Sequence, residues 1–148
     1  MIYLLRHGEA EPESAGGDSA RRLTAKGETQ AANAGRALAA LGIKLDSCLT
    51  SPRVRARDTA ELACHSLTVK PEIVESIGYG EYDTVDLAAG RGEMLLVGHE
   101  PVLSMEVARL TGARIKMKKG GLVILEPNLL RALLRPAELA AIAGAAGD

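Results

Sequence analysis

Aromatic residues are almost absent from this chain of 148 residues, which has no Trp, no Phe and only three Tyr. Hydrophobic residues nevertheless make up 47% of the sequence and charged residues 25%, a balance typical of a soluble globular protein and not of a disordered one. Without large aromatic side chains, the core has to be built from Leu, Ile, Val, Met and many Ala. We therefore expect helices that approach one another closely through small residues.

Long apolar runs and an excess of one charge are also missing. The longest apolar stretches, such as Met94 to Val97, are far shorter than the about eighteen residues needed to cross a bilayer. A formal net charge of -1 gives no reason to expect a nucleic-acid or membrane-surface partner. The length predicts a single domain spanning residues 1–148, and the sequence does not indicate an oligomeric state.

Cysteine is scarce, since Cys48 and Cys64 are the only two. The chain begins on a strand-like segment without the features of a signal peptide, so a reducing cytoplasm is the expected location. No close Cys or His pair suggests a zinc site, and Gly78-Tyr79-Gly80 lacks the later glycine and the lysine of a nucleotide-phosphate loop. We therefore expect no metal and no cofactor.

Apolar runs predict strands over residues 1–5, 43–50, 69–74 and 94–97, with a closing strand pair over 121–125 and 129–134. Turn-forming residues or a helical pattern separate each of the first four predicted strands from the next. The stretch from Ser76 to Gly92 reads as a glycine-containing connection with one helical turn near Asp86.

Helices are predicted between these strands. Thr24 can cap a helix that ends at Gly42, and Ser51 followed by Pro52 is typical of the start of a second helix, which runs to about Cys64. A later helix ends at Gly112 and a final one begins at Pro136. The apolar stripe of the first helix consists of Ala31, Ala34, Gly35, Leu38 and Leu41, and that of the later helix of Leu103, Val107 and Leu110.

Alternating strands and helices predict an α/β fold, a three-layer α/β/α sandwich with a mostly parallel central sheet. In such sheets ligands bind outside the carboxyl ends of the strands. Arg6 and His7, then residues 51–55, and then Gly98 and His99 each follow a predicted strand directly. We expect these three segments to converge on one edge of the sheet.

Two histidines and two arginines at one edge are sufficient for phosphoryl transfer. A neutral imidazole can attack phosphorus and hold it covalently, while guanidinium groups neutralise the phosphoryl oxygens with paired donors. Nearby arginines also favour the neutral imidazole by lowering its pKa.

These motifs resemble the histidine phosphatase, or phosphoglycerate mutase-like, superfamily. The resemblance begins with Leu5-Arg6-His7-Gly8-Glu9 at the end of the first strand. It continues through most of the chain with Arg22-Leu23-Thr24, Gly27 and Gln30-Ala31, then Thr50-Ser51-Pro52 with Arg55-Ala56 and Thr59-Ala60, then Val97-Gly98-His99-Glu100-Pro101. The short length and the segment from Pro136 to Leu139 make the chain most similar to the SixA-type phosphohistidine phosphatases.

The resemblance implies a role for each matched residue. His7 would be the nucleophile that becomes phosphorylated, Arg6 and Arg55 the phosphate ligands, and His99 the histidine on the opposite side of the phosphate. Arg55 takes the second arginine position, and not Arg53 or Arg57, because Ala56 and then Thr59-Ala60 follow it. Arg21 or Arg22 is a further candidate for contact with the substrate.

One departure from the family concerns the proton donor. Longer relatives carry a glutamate after the third strand that protonates the leaving group, and here Glu75 and Glu81 are the only counterparts, neither in clear register. The resemblance implies a metal-independent phosphatase acting on a phosphohistidine-containing protein. The alternatives are a phosphatase for small phosphate esters and a non-catalytic module that binds phosphate.

Overall fold

The computed structural model describes residues 1–147, which form one six-stranded sheet covered on both faces by helices. The strands are β1 (Ile2–Arg6), β2 (Ser47–Thr50), β3 (Pro71–Ile73), β4 (Met94–Gly98), β5 (Leu122–Glu126) and β6 (Leu129–Leu134). Their order is β3-β2-β4-β1-β5-β6; the first four are parallel, whereas β5 is antiparallel to β1 and β6 to β5. The predicted three-layer fold with a mostly parallel sheet is confirmed.

Six α-helices connect or follow these strands. They are α1 (Ala25–Ala40), α2 (Val54–Cys64), α3 (Glu75–Tyr79), α4 (Thr84–Ala88), α5 (Val102–Thr111) and α6 (Pro136–Gly147). A single turn of 3-10 helix at Asp18–Ala20 interrupts the loop before α1. No helix among the described residues combines the length and the apolar character that a membrane span requires.

Alternating side chains of the central strands bury both faces of the sheet. Tyr3 and Leu5 of β1 pack with α1, α2 and α6, whereas Ile2 and Leu4 pack on the other face with α3 and α5. Continuous burial of this kind is typical of parallel strands that have helices on both sides. Both helical layers share one sheet, and the single domain over residues 1–148 stays a prediction.

The helical layer beside α1 and α2 depends on small residues, as the lack of aromatics predicted. Ala34, Ala37, Ala60 and Ala63 are fully buried between the helices and the sheet. A Cβ on Gly35 would lie 2.1 Å from the carbonyl oxygen of Ala63. The two helices can therefore approach this closely only with glycine at that position.

Several predicted element boundaries are confirmed and others are wrong. Thr24 caps α1 by accepting a hydrogen bond from the Gly27 amide, and Gly42 has the left-handed φ of 77° expected after the helix. Leu41, predicted in the buried stripe, is 49% exposed. The second helix begins at Val54, so Ser51 and Pro52 precede it, and β2 begins at Ser47 and not at residue 43. The short helix α3 was not predicted.

Candidate active site

The carboxyl ends of β1, β2 and β4 meet at one edge of the sheet. The His7 amide donates to the Gly98 carbonyl at 3.2 Å and the Ser51 amide to the Val97 carbonyl at 3.2 Å. These bonds extend the parallel pairing by one residue, so the side chains that follow each strand emerge side by side. The rings of His7 and His99 face each other with centroids 5.2 Å apart and planes inclined at 55°.

His7 is held in the tautomer that a nucleophile needs. Nδ1 of His7 lies 2.7 Å from the carbonyl oxygen of Gly8. Because a carbonyl oxygen can only accept a hydrogen bond, Nδ1 is the donor. The proton therefore resides on Nδ1, and Nε2 keeps its lone pair. Burial, helped by the charges of Arg55, Arg6 and Lys119, lowers the pKa of His7 from 6.5 to about 4. The side chain is thus neutral near neutral pH.

The loop that carries His7 is fixed by close backbone contacts. The Gly8 amide donates to Oγ1 of Thr59 at 3.0 Å, and that hydroxyl in turn donates to the Arg55 carbonyl at 2.7 Å. A Cβ on Gly8 would lie 2.6 Å from the Gly27 oxygen, and a Cβ on Gly27 would lie 2.0 Å from the Glu9 oxygen. Glycine at both positions lets the start of α1 pack directly on the His7 loop.

Ser51 sets the orientation of His99. The Ser51 hydroxyl oxygen accepts from the Arg53 amide at 3.2 Å and lies 2.7 Å from Nε2 of His99. Within residues 1–147 the hydroxyl proton has no other acceptor, so we assign it to the bond with Nε2, which places the imidazole proton on Nδ1. This Nδ1 is buried without a hydrogen-bond partner among the same residues. Burial and the neighbouring charges of His7 and Arg55 lower the pKa of His99 to about 3.

Arg6 and Arg55 are both anchored and both retain free donors. Nη1 of Arg6 donates to the Met117 carbonyl at 2.8 Å, and Nη1 of Arg55 donates to the Asp18 carbonyl at 2.9 Å. Within the described part of the chain, the Nε atom of each guanidinium is buried without a hydrogen-bond partner. Arg55 is only 4% exposed. Buried, unpartnered N–H groups beside two neutral imidazoles form a site suited to an oxyanion.

Asp18 joins three arginines at this edge, which the sequence did not indicate. Its carboxylate accepts from Arg21 Nε at 3.0 Å, from Arg53 Nη1 at 3.0 Å and from Arg55 Nη2 at 3.2 Å. Burial alone would raise the pKa of Asp18, but the hydrogen bonds and charges of Arg21 and Arg55 lower it. The loop before α1 is therefore tied to the edge of the sheet through Arg55.

The other candidate substrate ligands lie at the periphery. Arg22 is exposed and lines a depression with Glu28, Asp58 and Glu61. Gly78 of α3 lies against Pro52 and Ser51, so α3 borders the site. Glu75 at the start of α3 and Glu81 just after it are both exposed. A role in catalysis or binding for Arg22, Glu75 or Glu81 stays a prediction.

The four residues of the predicted constellation, Arg6, His7, Arg55 and His99, all belong to this edge of the sheet. Within residues 1–147, no three His, Cys, Asp or Glu side chains come together as a metal site would require. Thr59, Ser51 and Asp18 support the constellation and were missed as functional residues. Ser51 and Thr59 belong to the matched motifs, so their signal was present, whereas Asp18 lies in a loop without any pattern.

Comparison with known proteins identifies the family. Residues 2–87 match the model of the histidine phosphatase superfamily (branch 1), and the chain belongs to this superfamily. An uncharacterized protein of Picosynechococcus is 32% identical over 143 residues, with 88% of this chain and 87% of that protein covered. The mitochondrial serine/threonine-protein phosphatase Pgam5 of Drosophila mojavensis is 37% identical over 78 residues, which are 53% of this chain and 27% of Pgam5.

Solved structures share the fold at lower sequence identity. The phosphohistidine phosphatase SixA of Agrobacterium tumefaciens aligns with a TM-score of 0.79 at 22% identity, covering 91% of this chain and 97% of that one. The protein histidine phosphatase SixA in complex with tungstate gives 0.78 at 23% identity, covering 93% and 98%. The alpha-ribazole phosphatase of Shigella flexneri gives 0.71 at 19% identity, covering 91% and 96%. The chain therefore has the phosphoglycerate mutase-like fold of the superfamily.

Proposed function

We propose that this protein is a metal-independent phosphohistidine phosphatase that works through a covalent phospho-His7 intermediate. The observation that carries the proposal is the pair of facing imidazoles, 5.2 Å apart, with two anchored arginines beside them. The SixA structures, one of which contains tungstate, a phosphate-like oxyanion, support it by analogy.

In the first step, Nε2 of His7 attacks the phosphorus. The new N–P bond forms as the substrate's N–P bond breaks, and the electron pair of that bond stays on the leaving imidazole. This imidazole departs in neutral form when its other ring nitrogen carries a proton. The free Nε–H groups of Arg6 and Arg55 donate to the phosphoryl oxygens, and the Nδ1–H of His99 donates from the opposite side.

In the second step, water attacks the phosphorus of phospho-His7. An O–P bond forms as the P–N bond breaks, and the electron pair of the P–N bond returns to Nε2. One water proton stays on the attacking oxygen and the other passes to a second phosphoryl oxygen, so inorganic phosphate is released. The bond from Nδ1 to the Gly8 carbonyl keeps the ring in place throughout, so the same lone pair is regenerated.

The hydrogen bonding of nearby carboxylates supports an N-phosphoryl substrate. Glu9 accepts from the Thr24 hydroxyl at 2.8 Å, Glu100 accepts from the Ser104 amide at 2.8 Å, and Asp18 accepts from three arginines. Each of these carboxylates is engaged as a hydrogen-bond acceptor. An alkoxide leaving group needs a proton from an acid, whereas imidazole departs more readily without one.

A panel of substrates tests the proposal. Purified protein is assayed with a phosphohistidine peptide, a phosphoserine peptide of the same sequence and p-nitrophenyl phosphate. We expect kcat/KM on the phosphohistidine peptide to exceed that on the phosphoserine peptide by roughly 100-fold or more, in line with the rate usually contributed by general acid catalysis, whereas p-nitrophenyl phosphate has a leaving group that needs no acid. His7→Asn should abolish turnover, whereas His65→Asn, which changes an exposed histidine at the end of α2, should leave it unchanged.

Two other results would replace this proposal. Faster turnover of esters would establish a phosphomonoesterase acting on phosphoproteins or small esters, a candidate that the Pgam5 match and the alpha-ribazole phosphatase fold both favour. Saturable binding of phosphate without turnover of any substrate would establish a regulatory module.

The two peripheral glutamates give a separate test of the missing acid. Glu75→Gln and Glu81→Gln should leave turnover of phosphohistidine within about threefold of wild type, because no enzyme proton is needed by the leaving imidazole. A collapse on phosphohistidine with either variant would contradict this account of the leaving group.

A further inference from the structure

A broad basic cleft of about 940 Å³ adjoins the active site on the side of Arg6. It lies between α1, the segment 116–119 and the start of α6. Glu9 is the single carboxylate among the residues that line it, whereas six lining side chains are cationic: Arg6, Lys26, Lys116, Lys118, Lys119 and Arg135. In a chain of net charge -1, this is a marked local separation of charge.

The lysines of the cleft are free to meet a partner. Arg135 forms an ion pair with Glu138, and Arg6 belongs to the active site. Within residues 1–147, by contrast, none of Lys26, Lys116, Lys118 and Lys119 takes part in a salt bridge, and all four are exposed. Four unpaired cations along one cleft repel each other and attract an extended anionic surface.

The lysine segment is fixed to the catalytic strand. The Gly120 amide donates to the carbonyls of Arg6 at 3.1 Å and His7 at 2.9 Å, and the Gly121 amide donates to that of Lys118 at 2.8 Å. A Cβ on Gly120 would lie 2.9 Å from Cβ of Gln30, so the segment also packs closely on α1. The cationic cleft and the phosphoryl site therefore keep a constant relation to each other.

The opposite side of α1 has the reverse charge. The depression beside Arg22 is lined by three carboxylates, those of Glu28, Asp58 and Glu61. A partner with an acidic face would be attracted to the cleft and repelled from this depression. The two surfaces together would set the direction from which a partner approaches.

We infer that the cleft is the docking surface for an acidic face of the phosphorylated protein substrate, next to its phosphoryl group. The inference rests on the proposed function, because it assigns the substrate's surroundings at that same site. A single phosphoryl group contacts only the Arg6 end of the cleft. The remaining cations are Arg135, which is paired with Glu138, and four exposed lysines, one on α1 and three on the segment 116–119. Exposed lysines spread along a cleft suit an extended acidic surface better than a small ligand that needs fixed donors.

Matched peptides test the inference. Two phosphohistidine peptides of equal length carry either Asp and Glu or Asn and Gln around the phosphohistidine. At an ionic strength of about 50 mM we expect kcat/KM to be roughly tenfold higher for the acidic peptide, with the preference largely lost at about 300 mM.

The double variant Lys116→Gln/Lys118→Gln should reduce the preference for the acidic peptide at least about threefold. The control Lys44→Gln/Lys70→Gln removes two exposed lysines that precede β2 and β3, at the other end of the sheet, and should preserve it.

Small and inert probes separate the possible failures. Both double variants should hydrolyse phosphoramidate, a small N–P compound, as fast as wild type. Equal kcat/KM for the two peptides, or equal effects of the two double variants, would overturn the inference while leaving the proposed function intact. A third result would also overturn the inference: tripolyphosphate inhibits wild type but not Lys116→Gln/Lys118→Gln, and the two peptides are hydrolysed equally well. The cleft would then bind a small polyanion and not a protein surface.

Failure of the proposed function has a different signature. If neither phosphohistidine peptide is hydrolysed, the proposed function fails, and the binding of both peptides to the wild-type protein is measured by fluorescence anisotropy. Phosphoserine peptides with the same flanking residues then replace the phosphohistidine peptides in the turnover assay. Tighter binding of the acidic peptide, lost in Lys116→Gln/Lys118→Gln, would support the docking surface independently of turnover. Equal binding of the two peptides would overturn it.

Discussion

Acid should destabilise this protein in part through His7. The pKa of His7 is about 4 in the folded protein against 6.5 in an unfolded chain, chiefly because the ring is buried. The folded state therefore binds fewer protons than the unfolded state between these two values. The corresponding stability is fully present above pH 6.5 and is lost as the pH falls through 4.

The size of the effect follows from the difference in pKa. Each unit corresponds to about 1.4 kcal/mol, so the complete loss for His7 is roughly 3 kcal/mol, and most of it, about 2.5 kcal/mol, should have occurred by about pH 4.5. The ring is 5% exposed, so solvent screening reduces this little. Such a loss is a large part of the about 5–15 kcal/mol by which domains are stable.

Urea unfolding at pH 7 and about pH 4.5 measures the loss in wild type, His7→Asn and His65→Asn. Wild type and His65→Asn should lose the same free energy of unfolding, whereas His7→Asn should lose roughly 2–3 kcal/mol less. Carboxylates that titrate in this range are common to all three proteins and cancel in the comparison. Since the charge of His7 contributes to the low pKa of His99, any relaxation of His99 in the variant acts in the same direction. Equal losses in wild type and His7→Asn, within about 0.5 kcal/mol, would refute the reasoning.

Three further predictions concern the supporting residues. Gly27→Ala places a Cβ 2.0 Å from the Glu9 carbonyl oxygen and should lower the free energy of unfolding by about 3 kcal/mol and remove most activity. The control Gly144→Ala in α6 places its Cβ with no atom within 4 Å, so it should be neutral or stabilise by up to about 1 kcal/mol. Urea titrations of the two variants measure the difference. Ser51→Ala removes the hydroxyl that holds His99 and should lower kcat about tenfold with little change in KM, so steady-state kinetics showing an altered KM alone would contradict that role. Asp18→Asn removes a negative charge beside three arginines, while the backbone carbonyl of residue 18 still accepts from Arg55. Inorganic phosphate should then inhibit about three- to tenfold more strongly. Unchanged inhibition would show that the Asp18 carboxylate does not compete with phosphate.

The central part of the fold was predictable because its strands are unambiguous. The apolar runs of β1 and β4 end abruptly in Arg6-His7 and Gly98-His99, so the sequence marks both the strands and the side chains at their ends. The alanines of α1 and α2 also indicated close helix packing. These features depend on local periodicity, which a single sequence displays directly.

The remaining details depend on contacts between distant segments. Ser51 before Pro52 is typical of a helix start, yet its hydroxyl bonds to His99, 48 residues away in sequence. The Asp18 carboxylate meets Arg55 across 37 residues, from a loop without periodicity. The helix α3 has only five residues, too few for a periodic pattern to emerge. Tertiary packing, and not local propensity, decides these three features.

In the proposed mechanism, the electrostatics that leave Nε2 of His7 free to attack also bear on the choice of substrate. Burial and nearby arginines keep both His7 and His99 unprotonated at neutral pH, which leaves a lone pair on Nε2 of His7 but no imidazolium proton to give away. The neighbouring carboxylates of Glu9 and Glu100 are engaged as hydrogen-bond acceptors. In the proposed mechanism, a leaving group that must be protonated by the enzyme is therefore poorly served, whereas an imidazole that carries its own proton needs no such help. We therefore propose that the electrostatics of the site favour cleavage of P–N over P–O bonds, for the same reason that they favour a histidine nucleophile.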